Sequence, residues 1–394
     1  MANGTIPGEF AFVATCCRWP LTADVVADLR RRAQAPCDWG AVLRTAERHR
    51  VVGIVHRALH VAAVACPPAV AEILGKASAG IARDNLARTA ETLRLQHRLD
   101  SAGIPALMLK GIALAQRVYV DTTFKYGRDI DVLVPRAQVL ATLQMLEDDG
   151  YSFVDFAPTL TAAQRRAYIA RGYEIQLRHA GRRMLVELHW QLSENPCLTA
   201  GIDPFANARW QPLAGGSVRT LGDDDLFAYL CVHGANHFWF RLKWLADLGA
   251  LLSAIPPAEW PRLYRHAQAH GAGLCAAHAL LLCSHVFGQP LPAGLEDALL
   301  RDSGVRRLVD LGMANLLGAD PTAAPVRAAS RQAAELRWRF LLGRGLRFWL
   351  AQCAIAMTAP ADVVRWPLPR AFGFVYPVIR LPSWLLRRRR AGRP

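Results

Sequence analysis

A chain of 394 residues, 52% hydrophobic and 20% charged, is too long for one ordinary domain and too apolar to be disordered, so two or three domains are expected. Its formal charge of +15 suits a phosphate-rich or otherwise anionic partner, although nearly all of it is arginine; the lysines are Lys76, Lys110, Lys125 and Lys243. Nine scattered cysteines, an odd number with no CxxC, argue against a disulfide framework and a zinc cage and point to a reducing, cytoplasmic setting.

In chain order, Met1 to Pro20 lacks a basic stretch followed by a clean apolar one, so no signal peptide is expected. Residues 20–100 read as helical: Thr22 caps Ala23–Arg32, Asp38 precedes Trp39–His49, and Ile81–Leu99 carries spaced apolar residues amid charge. Gly103-Ile-Pro105 breaks this run, and the texture changes. Ala106–Leu109 and Ile130–Val134 are short apolar strands on either side of a helix-like Ile112–Val120. Ala137–Asp148 is an amphipathic helix closed by Gly150. Glu174–Arg178 and Met184–His189 are strands joined by a hairpin turn, Ala180-Gly-Arg-Arg183.

From Asp223–Asp225, read as a cap, one helix is predicted over Leu226–Leu252. Others follow over Ala258–His270, Leu274–Phe287 and Arg331–Met357. No apolar window reaches the ~20 residues of a membrane span; the nearest, Ala371–Leu386, is broken by Pro377, Arg380 and Pro382. The pattern predicts an α+β chain: a helical region over 1–100, a small mixed-sheet core with helices over 101–220, and a helical region with a basic tail over 221–394. That tail, Phe372–Arg390, mixes aromatics with arginines and suits an anionic membrane surface or an acidic partner, against a solvated end.

The sharpest local feature is Arg128-Asp129-Ile130-Asp131-Val132. Residues two apart on a strand share a face, so Asp129 and Asp131 project together while Ile130 and Val132 enter the core. Two adjacent carboxylates repel unless a cation lies between them, and their oxygens suit Mg²⁺, which also binds substrate phosphates; solvated aspartates at a strand mouth are the plain alternative. Upstream, Lys110-Gly111 turns a strand into a helix, presenting backbone N–H groups and a point charge to an anion. Downstream, Glu187 and His189 share one strand face. Glu187 suits a third metal carboxylate or the base for an attacking hydroxyl, and His189 a packing or orienting role. On the helix predicted over Leu226–Leu252, Cys231, Phe238, Leu242 and Leu245 should pack. The opposite face, with His233, Asn236, His237, Phe240, Arg241, Lys243, Trp244 and Asp247, is expected to border a pocket, Arg241 and Lys243 on phosphates and His237 or Asn236 on sugar or base; a helix buried against the core through satisfied polar residues is the plain alternative. His233 and His237 lack the glutamate of a zinc HExxH motif.

The stretch LMLKGIALAQRVYVDTTFKYGRDIDVLV resembles the signature of the uncharacterised nucleotidyltransferase family within the polymerase-β-like superfamily. So do VELHW and LGDDDLFAYLCVHGANHFWFRLKWLADLGALL, the resemblance covering roughly residues 20–255. It implies a polymerase-β-like core in which Gly111 begins the phosphate-binding turn, Asp129 and Asp131 hold Mg²⁺ and Glu187 is the third acid. Two departures stand out: Gly111-Ile112 replaces the superfamily's Gly-Ser, and the basic residue before the aspartates appears as Lys125, with Arg128 adjacent to them. The implied activity is Mg²⁺-dependent transfer of an NMP from an NTP, such as ATP, to an acceptor: a small molecule, glycan, peptide, protein or RNA. The alternatives are a non-catalytic nucleotide- or partner-binding module of the same fold, and a phosphotransferase.

Overall fold

The computed structural model describes residues 6–35, 37–154, 160–318 and 328–380. Helices dominate both ends of the chain, with a small mixed sheet between them. Thr22 and Asp38 cap the helices Ala23–Gln34 and Trp39–Arg48 by accepting from the backbone N–H groups of Val25 and Ala41. A helix over Gly8–Cys16 precedes them, and the predicted Ile81–Leu99 lies inside a longer helix, Pro68–Ser101.

The five-stranded sheet contains Leu107–Met108 (β1), Ile130–Leu133 (β2), Ser152–Phe153 (β3), Glu174–His179 (β4) and Met184–His189 (β5) in the order β1-β2-β5-β4-β3. Only the β2–β5 pair is parallel. The hairpin expected between β4 and β5 is present, with Arg183 at positive φ in its turn. Elements without a sequence expectation include β3, the helices Ala162–Arg171 and Ser303–Leu317, and a separate hairpin of Arg209–Leu213 (β6) and Gly216–Thr220 (β7).

Alternation gives the sheet its two faces. Ile130, Val132, Ile175, Leu177, Val186 and Leu188 enter a core shared with the helices Pro68–Ser101 and Val139–Asp148. A larger core joins the first helices to those beyond residue 220, drawing Phe12, Leu29 and Val55 together with Phe227, Leu245 and Leu281. Leu109, Leu114 and Leu133 of the sheet region also belong to it.

Three helical predictions need correction. The long helix over Leu226–Leu252 is two helices, Asp223–Asn236 and Leu242–Ser253, separated where Phe238 and Trp239 take positive φ. Trp239 folds back across Gly234, where an added Cβ would lie 2.2 Å from the indole, and its ring N–H donates to His278 Nε2 at 2.7 Å. Tertiary anchoring of one buried indole thus outweighs a helix-permitting sequence. Asp223–Asp225 do not cap; Gly222 is the N-cap, and the three acids sit in the first turn, where the helix dipole favours them. The predicted Arg331–Met357 helix is likewise two, Ala328–Leu341 and Leu346–Met357, parted at Gly343-Arg-Gly345 with Gly345 at φ 87°. The arginine run Arg387–Arg390 lies outside the described residues.

Candidate active site

The polar face of the sheet carries two cross-strand rows. Asp131 on β2 registers with Glu187 on β5, and Glu187 with Gln176 on β4; one step along, Leu133, His189 and Glu174 align in the same way. Gln176 donates to Glu187 Oε1 at 2.9 Å. His189 spans its neighbours, with Nε2 3.3 Å from Asp131 Oδ1 and Nδ1 3.3 Å from Glu174 Oε2. Asp129 precedes β2 at the mouth of this row, less buried than Asp131. The period of two that put Asp129 with Asp131 and Glu187 with His189 in sequence applies equally to Glu174 and Gln176, which sequence reasoning passed over.

Lys110 enters this row from the end of β1. Its Nζ bonds Asp131 Oδ1 and lies 3.9 Å from both Asp129 Oδ1 and Glu187 Oε2. Gly111 follows at φ 68° and ψ −123°, a conformation that favours glycine, and starts the helix Ile112–Tyr119. The expected strand, lysine and glycine turn are therefore present, but the ammonium sits among the carboxylates.

Burial alone would neutralise Asp131, but the Lys110 ammonium and then His189 hold it well below the usual carboxylate range. Glu187 moves the other way: burial, and then the neighbouring Asp131 charge, push its carboxyl well up. Without a metal the row thus holds a carboxylate, an ammonium and a carboxylic acid side by side.

Above the row lies a cavity of about 660 Å³. Its floor includes Lys110, Gly111, Arg128, Asp129, Glu187 and His189. Arg128, half-exposed, reaches within 3.9 Å of Glu187 and 3.8 Å of Asp129. One wall comes from the helix pair after residue 222: of the eight residues expected there, all except Arg241 line it, despite the helix break. Arg241 is corrected on this point. It is buried beside Arg48, donates to that residue's carbonyl, and packs over Phe240.

Lys243 borders the cavity between the rings of Tyr126 and Trp244 and makes no ion pair among the described residues. Burial, with Lys125 and Lys110 nearby, brings its pKa down to about 7. His237 stacks on Trp244 at 4.6 Å and 10°, and burial lowers it to about 3, so it is neutral. Lys125 also borders the cavity, but its ammonium pairs with Asp247 at 3.3 Å. Asp247 in turn accepts from Tyr119. A further part of the lining, which carries no motif in sequence, comes from Ser303–Leu317 and Ala328–Leu341 and includes Arg307, Leu311, Asn315 and Trp338; it packs on the helix pair, Asn315 donating to the Phe238 carbonyl and the Trp338 ring N–H to the Ala235 carbonyl.

The sequence profile of the uncharacterised nucleotidyltransferase family matches residues 35–288, well over half the chain, and includes every acid of the row. The chain belongs to that family. No curated protein matches it. The family assignment accords with the α+β architecture, a small mixed sheet flanked by helices. The matched range takes in the sheet and the helix pair with Lys243, whereas the lining from Ser303–Leu317 and Ala328–Leu341 lies beyond it.

A divalent cation, which nucleotidyltransferases generally use, fits the donor set present. One ligand atom each from Asp131, Glu187 and His189 lies within 4.8 Å of the others. Asp131 Oδ2 is buried and has no hydrogen-bond partner among the described residues, leaving one carboxylate oxygen with unmet bonding capacity there. His189 therefore joins the acids as a candidate ligand, beyond the orienting role its sequence position suggested.

Proposed function

We propose that this family member transfers a nucleoside monophosphate from a nucleoside triphosphate, with ATP the first candidate, to a nucleophile on a separate acceptor, using Mg²⁺. The observation that supports it is the registration of Glu187 beside the buried Asp131, with Asp129 and Lys110 at the same row, beneath a cavity bordered by Lys243, which makes no ion pair among the described residues. Asp129, Asp131 and Glu187 would hold the metal, with His189 at its edge. The ion would neutralise charge on the reacting phosphate and lower the pKa of the attacking oxygen.

The chain's own groups carry the remaining work. Lys110, already within reach of all three carboxylates, offsets their repulsion before substrate arrives and offers its charge to phosphate oxygens once they are engaged. The backbone after Gly111 opens a helix N-terminus beside the cavity, an anion-favouring position that needs no serine hydroxyl. Lys243 suits the outer phosphates, with Arg128 at the floor and the paired Lys125 behind. The stacked His237 and Trp244 offer a flat, uncharged surface for a base or sugar. The acceptor, whether small molecule, glycan, peptide, protein or nucleic acid, would share the same cavity, which Ser303–Leu317 and Ala328–Leu341 also line.

The test uses ATP labelled separately at the α- and γ-phosphate, with Mg²⁺ and a panel of acceptors, on the native chain and Asp131→Asn. Transfer of α-label alone, lost in the variant, is expected. γ-Label transfer would replace the reading with a phosphotransferase. Tight ATP binding without turnover would replace it with a binding module.

A further inference from the structure

Most large apolar side chains of this protein are buried, but the helix Leu346–Met357 is an exception. Leu346, Trp349 and Leu350 are 72%, 56% and 60% exposed, and Cys353 and Met357 are exposed with them. At helical spacing these five residues fall within an arc of about 100°, a continuous apolar stripe facing away from the protein. The opposite face is fixed: Phe348 and Gln352 are buried, and Asn195 donates to Gln352 Oε1 at 3.0 Å and to the Phe348 carbonyl at 3.4 Å. The stripe is thus held outward by the packing of its own helix. The chain continues in the same character, with Trp366, Phe372, Phe374 and Val378 all exposed.

The charge around these residues is one-sided. From Leu346 to Pro394 the sequence holds nine arginines and one acidic residue, Asp362, a net +8 out of the whole chain's +15. Among the described residues Asp362 is buried, whereas Arg347 and Arg365 are exposed. Arg347 borders the stripe directly, and the run Arg387–Arg390 follows it in sequence.

We propose that the helix Leu346–Met357, with the exposed Arg347 and Arg365 of the described chain, docks this protein on an anionic lipid bilayer surface. An apolar stripe of Leu, Trp and Met reaches the acyl boundary while arginines meet the headgroup phosphates, each supplying what the other lacks for stable attachment. A helix of 12 residues lies on a bilayer rather than across it, and no described helix is long and apolar enough to cross. A protein partner would need acidic groups matched to every arginine, whereas an anionic bilayer supplies uniform negative charge beside an apolar layer. The proposal is independent of the nucleotide chemistry.

The test is co-sedimentation of the full chain with vesicles of phosphatidylcholine alone and of phosphatidylcholine with equal phosphatidylglycerol, at low and high salt. Binding only to the anionic vesicles, weakened by salt, is expected. Trp349→Glu/Leu350→Glu should reduce it by at least about tenfold, with an unchanged melting temperature because both positions are solvent-facing. As a check that keeps the protein native, brominated lipid should quench tryptophan fluorescence of the unaltered chain more than of Trp349→Phe. Failure to bind anionic vesicles would overturn the proposal, as would equal binding by the double variant, which would assign attachment to arginines alone. Sedimentation showing a dimer that the double variant dissociates would instead place a second copy of the chain on the stripe, and would equally overturn it.

Discussion

At the scale of single residues, the polar row works by making neighbours unlike one another. Asp131 stays charged because Lys110 and His189 face it, and Glu187 is kept protonated because burial and Asp131 oppose its ionisation. A cation entering the row must therefore displace a proton. Calorimetric titration with Mg²⁺ or Mn²⁺ in buffers of different ionisation enthalpy should show release of about one proton per metal at neutral pH, and Glu187→Gln should abolish that release. Equal apparent enthalpies in all buffers would show that Glu187 is already ionised. Asp131→Asn should lower kcat/KM by more than about 100-fold, because even the loss of a group that merely orients a ligand costs roughly 10- to 100-fold. Lys243 sets the expected pH dependence. Its pKa is depressed to about 7, so the protonated form that would bind phosphate fades as pH rises. KM for the nucleotide should rise between about pH 6 and 8, and Lys243→Arg, charged throughout, should flatten that rise. Lys243→Ala should raise KM by about tenfold at pH 6, the loss of one charge-assisted contact of ~1.4 kcal/mol.

At the scale of elements, what the sequence reveals follows local periodicity. The β4–β5 hairpin, the Lys110-Gly111 turn and the Asp129/Asp131 pair depend on alternation by two and on turn residues, so they can be read directly. The break at Phe238 and Trp239 cannot, because neither residue is a helix breaker; the cause is a contact with His278 some forty residues away. The cavity-facing residues of that region are still legible because their mixture of histidines, an amide and aromatics is unlike a solvated arginine-rich face. Arg241 shares that chemistry but, as the N-cap of the second helix at the break, turns to the Arg48 carbonyl. The lining from Ser303–Leu317 and Ala328–Leu341 carries no motif and is assembled only by folding. Gly234 offers the sharpest test of the break. A Cβ there would overlap the Trp239 ring, so Gly234→Ala should destabilise the protein by ~1–3 kcal/mol, despite alanine's better helix propensity. A melting temperature equal to or above that of the native chain would show that Trp239 does not hold the turn.

At the scale of the whole molecule, the polar row lies between two hydrophobic cores. The sheet's apolar face closes the smaller one, while Leu109, Leu114 and Leu133, beside the acids and the glycine turn, belong to the larger core that joins the first helices to those after residue 220. The helix Ile112–Tyr119, whose start faces the cavity, packs on Leu242–Ser253, and Tyr119 bonds Asp247 there at 3.1 Å. The polar row and the helical flanks therefore share packing in one core, and they are expected to unfold together. A fragment of residues 101–220 would expose Leu109, Leu114, Val118 and Tyr119, all buried in the full chain, at a cost of roughly 1.5–3 kcal/mol for each large side chain. Four such losses match much of a domain's total stability of ~5–15 kcal/mol. The fragment should accordingly show no cooperative unfolding transition in urea, whereas the full chain should give coincident transitions by tryptophan fluorescence and far-ultraviolet circular dichroism. A fragment that unfolds cooperatively on its own would make the nucleotidyltransferase core an autonomous domain and the helical flanks appendages to it.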